Sequence, residues 1–378
     1  MSLSKSRFIE MFGDPIKNEK RWPQLTLDSV CDGIGDGLHG TPEYDDLGAF
    51  YFINGNNLIN GTIVITPSTK KVNETTYKKY FTNISSNALL LSINGTLGKI
   101  AFYNDEAITL GKSACYINLK SFVNRYFVFE LMRTDPFLKY LEENSTKSTI
   151  KNVSLKTIRN FKLISPPEIL QNDFIAFSKQ IDKSKFLLQK ILEKLELLKK
   201  SRFIEMFDLY KEKKLSEVAE IIMGQSPDSN SYNNTEMGLP FYQGKTEFSD
   251  KYIGSPVTWC SSPCRIAEKN DILMSVRAPV GDVNIATEKC CIGRGLASIR
   301  PLDGESTFLF YALKLKKAEI ASKGNGSTFK AINKETVHSI TIPDVPQELK
   351  VKFSMFAEQI DKSKLVIQKS LEDLVGKS

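Results

Sequence analysis

Few residues of this chain could do chemistry, and their spacing argues against a complete catalytic site. Ser165-Pro166-Pro167-Glu168 matches three positions of the Asn/Asp/Ser-Pro-Pro-Tyr/Phe loop found in amino-methyltransferases. Glu168 stands where an aromatic ring would stack an extruded base, so the segment reads better as a hinge into a helix. Gly33-Ile34-Gly35-Asp36-Gly37 lacks the third glycine and the following helix of a nucleotide-binding loop, and reads as a turn. Gly95-Thr96-Leu97-Gly98-Lys99 has the wrong spacing for a phosphate loop. Neither His39 nor His338 has a triad partner evident in sequence. Of the cysteines, Cys260 and Cys264 are spaced CxxxC, while Cys290 and Cys291 are adjacent. Adjacent cysteines rarely ligate one metal and no histidine lies near. Reduced core thiols therefore fit Cys31, Cys115 and these four better than zinc does, and no metal site is expected.

The elements that would position any site come next. The chain has 378 residues, 41% of them hydrophobic, enough for two or three cores. Charged residues make up 25%, an ordinary globular share. The net charge of +7 is compatible with an anionic partner without selecting one. The N-terminus MSLSKSRFIEMF has no apolar signal-peptide core, and no run reaches the ~18 apolar residues of a membrane span. A cytoplasmic protein without membrane contact is expected.

The chain nearly repeats itself. SRFIEMF occurs at Ser6–Phe12 and again at Ser201–Phe207; QIDKSK occurs at Gln180–Lys185 and Gln359–Lys364. Around the second pair, Phe174 and Phe177 fall on Phe353 and Phe356, and Thr157 falls on Thr336. Leu91-Ser92-Ile93 with Gly98 resembles Met274-Ser275-Val276 with Gly281, and Leu110-Gly111-Lys112 resembles Ile292-Gly293-Arg294. A period this long means two copies of a domain plus a helix. Short β-like runs at Tyr51–Ile53, Ala88–Ile93, Ile100–Tyr103, Ile272–Val276 and Val337–Ile342, with helical stretches at Val123–Leu141 and Ser306–Ala321, predict α+β domains.

Two long helices follow from periodicity. Leu170, Phe174, Phe177, Ile181, Ser184, Leu188, Ile191, Leu195 and Leu198 alternate four and three apart. Leu349, Phe353, Phe356, Ile360, Ser363, Ile367 and Leu374 form the C-terminal counterpart. These are heptad seams, which predict a pair of coiled-coil helices. About 40 residues at ~1.5 Å rise make a rod of roughly 60 Å. The central helix runs into SRFIEMF, whereas the C-terminal one is not followed by it; the N-terminal SRFIEMF should complete that second copy. The expected divisions are a helical segment at 1–12, a domain at 13–167, a long helix at 168–207, a domain at 208–346 and a long helix at 347–378. The expected fold is α+β: two similar domains joined by two long antiparallel helices in a pseudo-two-fold, cyclic arrangement.

Taken in order, SRFIEMFGDP, QIDKSK with its heptad helix and SRFIEMF, SVRAPVGDVNIA with CIGRGLASIRP, and FAEQIDKSK resemble the specificity subunit of type I restriction–modification enzymes. The resemblance covers essentially the whole chain. It implies two target-recognition domains, each reading half of an asymmetric, bipartite site on double-stranded DNA. It implies helices that set the gap and dock two modification (methyltransferase) subunits, with restriction/translocase subunits in the full complex. It implies a non-catalytic chain without cofactors; S-adenosylmethionine, Mg2+ and ATP would sit on the partners. Half-sites on one DNA face lie about 34–36 Å apart, within the reach of such a rod.

The candidate phosphate contacts are Lys147, Lys151, Lys156 and Arg159, and Lys323, Lys330 and Lys334, on basic segments flanking each helix entry. Candidate base readers, chosen by type and loop context, are Asn54, Asn56, Asn57 and Lys112, then Gln225, Gln243, Lys245, Arg277 and Arg294. Bulk charge gives no support, because cations barely exceed acids in 13–167 and equal them in 208–345. The competing reading is a non-enzymatic coiled-coil scaffold for protein interactions; a stand-alone methyltransferase is a third. Salt-dependent duplex binding and S-adenosylmethionine binding would separate them.

Overall fold

A computed structural model of the chain describes residues 2–324 and 331–376. The chain divides into two compact units, one formed by residues 1–187 with the chain from Ser370 onward, the other by Leu188–Lys369.

In the first unit, a four-stranded sheet orders Cys31–Asp36, Ala114–Leu119, Ala88–Ser92 and Ile100–Phe102, all antiparallel. Phe50–Ile53 pairs parallel with Ile108–Leu110, and Gln24–Thr26 pairs with Lys162–Ile164. The second unit repeats this plan. Its four-stranded sheet orders Ala219–Met223, Leu296–Pro301, Ile272–Ser275 and Val283–Ile285. Leu239–Tyr242 pairs parallel with Cys290–Ile292, and Glu212–Lys214 pairs with Thr341–Pro343. Each main sheet is covered by helices, Arg125–Met132 and Asp135–Glu143 in one unit, Ser306–Leu315 and Lys317–Ser322 in the other.

Two expectations needed correction locally. Gly33–Gly37 is not a turn: Cys31–Asp36 is a strand. A Cβ at Gly35 would lie 2.6 Å from the Tyr116 hydroxyl on the neighbouring strand, so glycine there makes room for a cross-strand ring. Val337–Ile342 is not one strand either. Asn333 caps a short helix, Lys334–His338, by accepting from the Thr336 N–H, and the strand begins only at Thr341. Ser154 does the same for Leu155–Asn160 in the first unit.

Three helices carry the repeat: Leu3–Phe12, Glu168–Phe207 and Gln347–Val375. The N-terminal helix packs antiparallel to the start of the central one, with Ser4 against Ser178 and Phe8 against Phe174. In the second unit, the end of the central helix packs antiparallel to the C-terminal one, with Lys199 against Asp361 and Phe203 against Phe353. The N-terminal SRFIEMF thus does for the central helix what the internal SRFIEMF does for the C-terminal one.

The buried stripe on these helices differs from the expected seam. Phe174, Ile181 and Phe353 are buried, and Phe177, Leu188, Leu195, Phe356, Ile360, Ile367 and Leu374 are half-buried, as a seam requires. Ile191 and Leu198, however, are 42% and 46% exposed. Ser184 and Ser363 are exposed too. The stripe runs instead through Lys185, Leu192 and Lys199, and through Lys364. Lysine can occupy a packed position when its stem lies on apolar neighbours and its ammonium meets a carboxylate. Lys199 lies over the Tyr311 ring at 5.1 Å and bonds Asp361 at 2.7 Å. Lys364 bonds Glu196 and Asp250.

No helix among the described residues is long and apolar enough to cross a membrane. Cys31, Cys115, Cys260, Cys290 and Cys291 are buried, and Cys264 is exposed, unlike the core thiol expected of it. Burial pushes the Cys115 and Cys290 thiols up to about 12, so they stay protonated and inert. Cys290 and Cys291 are successive strand residues that enter different apolar clusters, which opposes a shared metal.

Candidate nucleic-acid interface

Each unit gathers four turns at one place, and the same backbone bonds tie them together. The first turn joins two strands of the main sheet. In the first unit the Ser92 N–H donates to the Lys99 carbonyl at 2.8 Å and the Gly98 N–H to the Ser92 carbonyl at 3.0 Å. The Ser92 hydroxyl donates to the Thr96 carbonyl and accepts from the Lys99 N–H. In the second unit, Ser275, Pro279, Gly281 and Asp282 make the same four bonds at 2.8–2.9 Å. The tips are therefore Asn94-Gly95-Thr96-Leu97 and Arg277-Ala278-Pro279-Val280.

The second turn is Gly111-Lys112-Ser113, matched by Gly293-Arg294-Gly295. The Ile93 N–H donates to the Ser113 carbonyl, and the Val276 N–H to the Gly295 carbonyl. The third carries Asn54 or Gln243. The Gly111 N–H donates to the Ile53 carbonyl, and the Gly293 N–H to the Tyr242 carbonyl. The fourth carries Leu38 or Gln225, whose N–H groups donate to the Leu110 and Ile292 carbonyls. Such close backbone approach requires glycine. A Cβ at Gly37 would lie 2.1 Å from the Leu110 oxygen, and one at Gly224 would lie 2.2 Å from the Gly293 oxygen.

The structure thus brings Gln225, Gln243, Arg277 and Arg294 onto joined turns. All four side chains are exposed, and none has a side-chain hydrogen bond or ion pair among the described residues. Lys245 differs, because Asp282 holds its ammonium at 2.7 Å and also holds Lys317. Hydrogen bonds from Lys245 and Lys317 outweigh burial and keep the Asp282 carboxyl below the usual carboxylate range. In the first unit, Lys112 and Asn56 are exposed. Asn54 and Asn57 are largely committed to holding their own loop. Asn54 Oδ1 accepts from the Ser113 hydroxyl, and Asn57 Nδ2 donates to the Val64 carbonyl. All three asparagines line a cavity of about 350 Å3 with Tyr44, Phe52 and Lys70.

Asn94 was missed by sequence reasoning. It occupies the position of Arg277, and the matching Ser92/Gly98 and Ser275/Gly281 frames were the signal that could have found it.

The basic segments divide into free and committed cations. The Gly95 N–H donates to the Lys151 carbonyl, and the Val153 N–H to the Ile93 carbonyl, which straps this segment to the first turn. Lys147 and Lys156 are exposed. Lys151 pairs with Glu142 at 2.7 Å. Arg159 is tied to the Ile34 carbonyl and lies 3.7 Å from Asp28. Lys323 pairs with Glu319 at 2.8 Å. Lys330 lies outside the described residues. Lys334 is exposed and lines a cavity of about 370 Å3 with Lys214, Glu335 and His338. The buried Nε2 of His338 has no hydrogen-bond partner among the described residues. No group of three or more His, Cys, Asp or Glu that could hold a metal occurs among the described residues.

With this duplicated geometry in view, comparison with known proteins is decisive. Residues 20–197 and 208–374 each match the profile of the type I restriction modification DNA specificity domain. The chain belongs to this family. It is 35% identical over 282 residues to a Methanocaldococcus jannaschii protein described as the type I restriction enzyme MjaX specificity subunit; the match covers 67% of this chain and 65% of that relative. The chain thus spans just under two thirds of that relative's length. A second protein of that organism, the MjaIX specificity subunit, is 28% identical over 169 residues, covering 40% of this chain and 39% of its own length. Among solved structures, a chain from a study of complex assembly and conformational transition in a type I R-M system matches with a TM-score of 0.65. It is 27% identical and covers 93% of both chains. The S subunit from M. genitalium matches in fold, with a TM-score of 0.53 at 18% identity, covering 94% of this chain and 93% of its own. In this specificity family member the repeated sequence islands are therefore the framework of two copies of one domain.

Proposed function

We propose that this chain is the DNA-binding specificity subunit of a type I restriction–modification system. Each unit reads one half of a bipartite, asymmetric site on double-stranded DNA. The observation that carries this is the duplicated four-turn cluster. It presents exposed cationic and amide side chains, the groups that read base edges in a groove, on turns whose backbone is already bonded. Exposed lysines beside it, Lys147 and Lys156 in one unit and Lys334 in the other, suit phosphate contacts that set register.

The chain performs no chemistry in this reading. Modification subunits, two per chain, bring S-adenosylmethionine, and restriction/translocase subunits bring ATP and Mg2+. The long helices dock the modification subunits and set the spacing. Exposed Ile191, Leu197, Leu198 and Leu365 in the second unit are apolar side chains of the sort a docked subunit would cover.

The test is methylome sequencing of a host that expresses this chain with its modification partner. One split, asymmetric adenine motif is expected. A continuous motif, or methylation that does not depend on this chain, would overturn the proposal. A companion measurement is duplex binding by the complex, which should weaken steeply as salt rises.

A further inference from the structure

Resting on the DNA-reading function above, we propose that the two units read their half-sites through one structural position. Asn94 with Lys112 fills it in the first unit and Arg277 with Arg294 in the second, and the two arginines read guanine.

The equivalence is geometric. Asn94 and Arg277 each follow a strand of the main sheet by two residues, in turns closed by the same four hydrogen bonds. Lys112 and Arg294 each occupy the middle of the neighbouring turn. That turn is joined to the first by the Ile93–Ser113 bond in one unit and the Val276–Gly295 bond in the other. The two side chains of each pair therefore start from backbones whose separation the fold sets. A spacing built in this way is what base reading needs, because base edges are matched only at fixed positions whereas phosphate contacts carry no sequence information.

Charge singles out the arginines. The turn of the first unit ends in Lys99, and that of the second ends in Asp282 at the equivalent place. Asp282 collects Lys245 and Lys317, the cations nearest the turn's end. Lys314, on the covering helix, is held by Asp250. Arg277 and Arg294 keep their guanidinium groups exposed, with no carboxylate partner among the described residues. The planar guanidinium fork presents two parallel donors to O6 and N7 of guanine in the major groove, a geometry that a lysine ammonium on its flexible stem holds less rigidly. Pro279 fixes φ at the tip of the turn that carries Arg277. In the first unit the Asn94 amide bonds Asn152 at 3.4 Å, a long contact readily exchanged for the edge of adenine, the base that carboxamides suit.

The experiment uses the full chain with its modification subunit and compares methylomes of wild type, R277A, R294A, R277K and N94A. R277A and R294A should relax guanine positions in one and the same half, by about 10–100-fold in discrimination, and leave the other half unchanged. N94A should relax a position in the other half. R277K keeps the charge without the planar fork and should relax guanine less than R277A does; where R277A abolishes methylation, R277K decides. The inference falls if the half altered by R277A contains no guanine. It falls if N94A and R277A alter the same half, or if R277K relaxes a base other than guanine. It also falls if the variants lower methylation uniformly without changing the motif and reduce the salt slope by about one, which is the signature of phosphate contacts. A wild-type chain that yields no split motif beside an active partner would instead sink the function on which the inference rests.

Discussion

The two places where a long helix meets its domain have matching apolar clusters and different buried polar groups beside them. In the first unit Phe8, Phe12, Phe127 and Phe174 pack with ring centroids 5.0–5.6 Å apart. In the second, Phe203, Phe207, Phe308 and Phe353 pack at 4.8–5.6 Å, and the pairs fall into the same stacked and edge-on classes apart from Phe8–Phe12, which is tilted. Beside the first cluster, the hydroxyls of Ser4 and Ser178 donate to the buried carboxylate of Glu130, which Arg133 also meets. Beside the second, Lys199, Asp361 and Tyr311 form a charged network that extends to Lys251. The lesson concerns constraint. Four interlocked rings tolerate little change in shape, because a protein interior is close-packed. A buried polar group asks only that its bonding capacity be met, and unrelated residues can meet it.

The largest expected effect treats the two regions alike. Phe174→Ala and Phe353→Ala each remove a fully buried ring and should cost about 3–5 kcal/mol. Hydrogen exchange should show each loss in the unit that holds the ring. Strongly unequal losses would break the equivalence of the clusters.

A smaller effect should distinguish the regions. Lys199 has a side chain only 3% exposed, and Lys199→Met would leave Asp361 with Lys251 as its remaining cation. A loss of about 1.5–3 kcal/mol is expected, the range for a hydrogen bond to a charged group. Ser4→Ala removes only a long 3.3 Å bond from Glu130, which keeps Ser178 and Arg133 as donors, and should cost about 1 kcal/mol. Chemical denaturation followed by local exchange would check both, and equal costs would count against the contrast.

The smallest effect is in pH. Burial alone would raise the Asp250 carboxyl, but the Lys364 hydrogen bond and neighbouring lysine charge hold it down at about 2. Asp361 and Glu196 are also lowered: burial opposes this, and hydrogen bonds from Lys199 with Lys251 or Lys364 outweigh it. A depressed carboxylate contributes its full stability above its unfolded value, here 3.8 or 4.5, and loses it as pH falls through the folded value. Amide protection around Glu196–Lys199 and Asp361–Lys364 should therefore fall from about pH 4.5 towards 2, and Asp361→Asn should flatten part of that fall. Protection that stays constant over this range would show that the network contributes nothing to folding.

Much of this was legible in the sequence because repetition exposes whatever cannot change. SRFIEMF, QIDKSK, Phe174/Phe353 and the Ser–Gly frames mark the ring clusters, the long helices and one of the four turns. The lysines of the stripe were not legible. A seam drawn through apolar residues takes in Ser184 and Ile191 and passes over Lys185 and Lys199. Only a three-dimensional partner such as Asp361 makes a packed ammonium affordable. Asn94 was passed over although the matching Ser92/Gly98 and Ser275/Gly281 frames bracket it, because asparagine and arginine at the two tips share no residue type and only the closing bonds show that the positions are equivalent.

Residue order alone established a duplicated α+β chain with long helices of heptad character, because periodicity and near-identity are properties of a string. Which cations stay available is not such a property. Arg277 and Arg294 remain exposed while Lys245, Lys151 and Arg159 are taken up by partners that are distant in sequence or on other elements. Coulomb and hydrogen-bond energies depend on separations of a few ångströms, and those separations exist only once the chain has folded.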